Sequence, residues 1–126
     1  MKRKATMLTP SQLHRLDLAC SVIAQAFDSW PYLVGSALHD PDWRDVDVRL
    51  ILADDEFERL DSRVRILLNL TTATWLEHMT GLPIDFQIQQ QTGANRNHAK
   101  RRNPLGTRTL ENFSGDWDTP APEEGE

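Results

Sequence analysis

The sequence predicts an α/β fold of the α+β kind, a small mixed β-sheet with helices packed on one face. Three observations predict it. Leu13, Leu16, Cys20, Ile23 and Phe27 recur at helical spacing, giving an apolar stripe that suits a sheet surface. Val46, Val48, Leu50 and Leu52 alternate with polar or differently directed residues, as do Ile84, Phe86 and Ile88, and a period of two marks strands with one buried face. Between these two runs, Leu60, Val64, Leu67, Leu68, Thr71 and Trp75 mark one face of a long helix.

The first helix has its start written beside it. Thr9 serves as the cap, Pro10 fits the first helical position, and Gln12 reaches back to complete a capping box. His14, Arg15 and Asp17 fall on the outer side, and Cys20 on the apolar stripe reads as a small buried side chain. Trp30 to Val34 forms the first strand, entered through Pro31 at a sheet edge or rim and ended by Gly35. The second strand carries Asp45, Asp47 and Arg49 on the face opposite its valines and leucines. Ala53-Asp54-Asp55-Glu56 then places acids where a helix begins, and Gly81 and Pro83 stop the long helix near Thr80. Arg59, Arg63 and Arg65 form a solvated edge. Glu77 and His78 are neighbours that point apart on a helix, which gives them structural roles. The third strand, from Ile84 to Gln89, carries Asp85, Gln87 and Gln89 on its polar face.

Two carboxylates one residue apart on a strand share a face and repel each other, and a divalent cation is a common compensation. Asp45 and Asp47 are such a pair. With the strands in one sheet and their apolar faces on the same side, Asp85 joins them. Three carboxylates on an open face suit a hard, oxygen-seeking ion, Mg²⁺ or Mn²⁺, with phosphate oxygens completing the shell. Such a site suits phosphoryl or nucleotidyl transfer.

With Gly35-Ser36 ending the first strand, Asp45-Val46-Asp47 opening the second and Asp85 on the third, the chain resembles the nucleotidyltransferase superfamily that includes DNA polymerase beta and small bacterial nucleotidyltransferases. The resemblance spans Trp30 to Gln90 and implies a nucleotidyltransferase-like fold. It implies that Gly35 and Ser36 hold a nucleoside triphosphate, that Asp45 and Asp47 bind the metals, and that Asp85 binds the catalytic metal and helps activate the attacking hydroxyl. The implied activity is metal-dependent transfer of a nucleotidyl group from a nucleoside triphosphate to an unidentified acceptor. The chain has Leu38-His39-Asp40-Pro41 where the family carries a further glycine, and Arg44 where it carries a serine. These departures motivate an alternative, a catalytically reduced module that binds a nucleotide or a partner protein.

The 126 residues suit one small domain. The expected organisation is a flexible N-terminus over 1–9, the nucleotidyltransferase-like domain over 10–92, a basic arm over 93–113 and a disordered acidic tail over 114–126. Arg96, His98, Lys100, Arg101 and Arg102 make the arm basic, and it reads either as a solvated connector or as a segment that folds over the sheet to meet phosphates. In the Pro-, Gly- and acid-rich tail, Trp117 stands out as a residue that could dock on the domain or on a partner. A formal net charge of -5 disfavours broad gripping of a nucleic-acid backbone, leaving small nucleotides or a partner protein. The single cysteine fits a reducing compartment, and the lack of a long apolar run or a signal peptide fits a cytoplasmic protein with no membrane contact.

Overall fold

The computed structural model of the chain describes residues 6–98 and 102–106. Its elements run α1 (Pro10–Phe27), β1 (Tyr32–Val34), a 3₁₀ turn (Ser36–Leu38), β2 (Val46–Leu52), α2 (Asp54–Arg59), α3 (Ser62–Thr80), β3 (Ile84–Gln90), α4 (Gln91–His98) and β4 (Asn103–Pro104). The four strands form a mixed sheet in the order β3-β2-β1-β4. β1 lies antiparallel to β2 and to β4, whereas β2 and β3 are parallel and joined through α2 and α3. A parallel pair needs such a crossover, and the long helical segment supplies it.

The capping box forms as the sequence predicts. Gln12 N–H donates to Thr9 Oγ1 at 3.1 Å, and Thr9 N–H donates to Gln12 Oε1 at 2.9 Å. Leu16, Cys20 and Ile23 of α1 then pack in one apolar cluster with Leu33, Val48, Leu50, Phe86 and Ile88 of the sheet and Leu76 of α3. Both long helices therefore cover the same sheet face.

Two details depart from the periodicity. The helix expected after β2 is two helices, because Leu60 leaves α2 in an extended conformation and Asp61 caps α3, accepting from Arg63 N–H at 2.8 Å. Val64, Leu67 and Thr71, expected on the buried face of α3, are exposed, while Leu76 and Thr80 are buried and Leu68 and Trp75 are partly covered. A helix apolar around most of its circumference offers no single stripe, so the sheet decides which side is buried.

The described residues after Gln90 belong to the fold. Asp54 at the start of α2 accepts from both the backbone N–H and the hydroxyl of Thr92 in α4. Beyond it, Leu105 is fully buried in the main cluster and its N–H donates to Pro31 O at 2.7 Å. At the other end, Leu8 is buried and Met7 N–H donates to Ala37 O at 2.7 Å. Lys100, Arg101, Trp117 and the whole of 114–126 lie outside the described residues.

Candidate functional site

The strand registers assemble the site. Val34 of β1 is the partner of Asp47 on β2, and Asp47 is the partner of Asp85 on β3. Because paired residues in a sheet point to the same side, the two carboxylates are neighbours on the face away from α1 and α3. The next row runs Tyr32, Arg49, Gln87. Asp45 lies just before β2, exposed, two residues from Asp47 and on the same side by the strand period.

Gly35 follows Val34 directly, with φ at +79°, and opens the 3₁₀ turn that begins at Ser36. A Cβ at this position would clash with Asp47 Oδ2, so the Asp47 carboxylate occupies the space that the missing side chain leaves. The conformation and the crowding both require glycine here. The antiparallel pairing of Val34 with Asp47 thus brings the Gly-Ser turn onto the second acid of the pair.

Arg49 is the counterweight to the acids. Its guanidinium is almost entirely buried, with Nη1 donating to the backbone oxygens of Asp85 at 2.7 Å and Val48 at 3.1 Å. Nη2 lies 3.5 Å from Asp85 Oδ2 and 4.0 Å from Asp47 Oδ1. At those lengths the contacts with the carboxylates are electrostatic, and the backbone oxygens provide the firm hydrogen bonds. Arg49 Nε is buried with no hydrogen-bond partner, so the side chain is held for its charge while one donor goes unsatisfied. Burial pushes the Asp47 carboxyl above its ordinary value; Arg49 opposes the shift, and the charges of Asp85 and Asp45 add to it. The repulsion read from the sequence is present, and an arginine within the same strand offsets part of it.

A groove of about 510 Å³ runs beside the acids between α3 and β3, lined by Asp45 and Asp85 together with Ile66, Leu70, Ala73 and Phe86. Its floor is the sheet's edge strand, two of whose outward N–H groups are held from α3: Asn69 Oδ1 accepts from Ile88 N–H at 2.9 Å and Glu77 Oε2 from Ile84 N–H at 3.2 Å. Glu77 is thereby structural, as its place on the helix suggests. Side chains bound to an edge strand in this way hinder its pairing with another chain.

The basic arm contributes one described cation to this side of the sheet. Arg102 stacks over the ring of Tyr32 at 4.9 Å and donates to Asn95 Oδ1 at 3.1 Å. Tyr32 is the register partner of Arg49, so Arg102 lies one row from the acids. Arg96 is exposed on α4.

Among the described residues no group of three or more His, Cys, Asp and Glu side chains converges as a metal cage. Asp45, Asp47 and Asp85 offer only carboxylate oxygens, the donor type that hard cations take, and the charges of Asp45 and Asp85 act on Asp47. Asn69, Ile66 and Leu70 are the neighbours of the site that the sequence alone did not single out. Their signal was a charge-free run inside a long helix. No helix among the described residues is long and apolar enough to cross a membrane. No family model, no curated protein and no solved structure matches the chain.

Proposed function

We propose that the chain is a metal-dependent nucleotidyltransferase that moves a nucleotidyl group from a nucleoside triphosphate to an acceptor. The observation that carries this reading is the direct pairing of Asp47 with Asp85 across parallel strands, with the Gly35-Ser36 turn seated against the Asp47 carboxylate. In this reading Asp45, Asp47 and Asp85 would hold Mg²⁺ or Mn²⁺, which supplies Lewis-acid stabilisation of the charge that builds on the phosphate oxygens. Gly35 lets the turn close against the Asp47 carboxylate, and the Ser36 hydroxyl and the N–H groups of the turn would donate to the phosphates. Asp85, the more exposed of the paired acids, lies beside the groove and faces the incoming acceptor. Arg49 keeps Asp47 and Asp85 in place and limits their repulsion before substrate arrives.

One observation favours a second reading. Arg49 already offsets the charge of two of the three acids, which suits a module that binds a nucleotide or a partner protein without turnover. Incubating the protein with Mg²⁺ or Mn²⁺ and each labelled triphosphate separates the two. Transfer predicts pyrophosphate release that Asp85→Asn lowers at least about 100-fold while binding changes far less. Metal-dependent nucleotide binding with no pyrophosphate under any condition selects the binding module, and absence of both overturns the site.

A further inference from the structure

The solvent face of α3 carries large apolar side chains. Ile66, Leu67 and Leu70 are 54%, 58% and 65% exposed, and Val64 extends the same apolar surface. From Ile66 to Leu76 the helix carries no charged residue. Contiguous exposed side chains of this size mark an interaction surface, since water gains by their burial.

The charges that bound this face suit a second copy of the chain, although each has a contact within its own chain: Arg63 lies 3.4 Å from Asp61, and Glu77 accepts from Ile84 N–H through Oε2. Arg63, Leu70 and Glu77 follow one another at intervals of seven, so they lie along one stripe, with Ile66, Leu67, Ala73 and Thr74 beside it. Leu70 stands midway between the two charges. The stripe is therefore complementary to itself when reversed: an antiparallel copy crossing at Leu70 brings Leu70 against Leu70 and sets Arg63 of each copy opposite Glu77 of the other. Those charges are about 21 Å apart along the axis, and the uncharged run from Ile66 to Leu76 lies between them.

We infer that the chain forms a two-fold dimer through antiparallel packing of α3 against α3. Such a contact is isologous and closes, so it stops at two copies. The arginine at one end and the carboxylate at the other oppose parallel pairing, which would juxtapose like charges. Ile66 and Leu70 also line the groove beside Asp45 and Asp85, so the second copy forms the outer wall of that groove. This inference rests on the surface of α3 and stands apart from the chemistry proposed for the acids.

Sedimentation velocity of the full chain from about 1 to 100 µM tests it. The expected result is a species of twice 14.4 kDa that dissociates on dilution. Leu70→Glu leaves the far-ultraviolet spectrum unchanged, because the position is exposed, and weakens association at least about tenfold by placing two carboxylates at the crossing point. Arg63→Glu and Glu77→Lys each weaken self-association, and an equimolar mixture of the two variants restores it, because both cross-pairs then carry opposite charges. The Arg63 and Leu70 variants keep the test decisive even where Glu77→Lys loosens the edge of β3. A 14.4 kDa monomer throughout, a dimer that Leu70→Glu does not weaken, or folded charge variants that do not recover on mixing overturns the inference.

Discussion

Asp47 concentrates the conflict on which the site is built. Burial and two neighbouring acids raise its pKa from the ordinary 3.8, so its charged form costs stability, and that cost is relieved as pH falls through the raised value. Asp47→Asn should therefore unfold at higher temperature than the parent at pH 7, and the difference should shrink to nothing below pH 3.8, where both folded and unfolded parent are protonated. Asp54 behaves in the opposite sense. Its hydrogen bonds from Thr92 lower its pKa, so the stability it contributes is present above 3.8 and is lost on further acidification. Thermal melts of Asp54→Asn and Asp47→Asn across pH should diverge in sign. Gly35→Ala tests the turn itself: a φ of +79°, with a Cβ that would clash with the Asp47 carboxylate, should cost about 1–3 kcal/mol in urea unfolding. Arg49→Met leaves Asp47 and Asp85 without their shared cation, and losing one partner of a buried pair costs about 3 kcal/mol, less here because Asp85 is partly solvated. In this reading Mg²⁺ recovers more stability in Arg49→Met than in the parent.

At the scale of elements, legibility followed how much each segment states locally. The start of α1 was readable to the residue, because Thr9, Pro10 and Gln12 are a local device that needs no tertiary contact, whereas Asp17, expected on the outer side, is half-buried and accepts from Gly106 N–H. Thr9→Ala should accordingly cost about 1 kcal/mol, read from the shift in urea midpoint at constant slope. The two long strands were readable from their period of two, and with them the common face of Asp47 and Asp85. The burial of α3 was not readable: Val64, Leu67, Leu70 and Leu76 are chemically alike, and only packing on the sheet selects Leu76 for the interior. Nor did composition reveal the helix after β3, since Gln91 to His98 carries few apolar residues and is tied by Thr92 to Asp54, a partner 38 positions away.

For the whole molecule, both ends of the described chain return to the centre. Leu105 fills the main apolar cluster, and Gly106, whose missing side chain leaves room for the Trp30 ring, donates its N–H to Asp17. Leu105→Ala should cost about 2–5 kcal/mol and lower the cooperativity of unfolding little, because the residue belongs to the same core as α1 and the sheet. The sheet order and the parallel β2-β3 pair set Asp85 beside Asp47, and the Gly35-Ser36 turn closes over the same point, so the proposed chemistry depends on the topology as a whole. Calorimetric titration of the full chain with ATP in the presence and absence of Mg²⁺ tests that dependence most directly. The expected result is Mg²⁺-dependent binding in the parent and a loss of at least about tenfold in affinity in the Asp45→Asn/Asp47→Asn double variant, whose fold is intact by circular dichroism. Equal affinity in parent and variant, or binding indifferent to Mg²⁺, would contradict the proposed metal site.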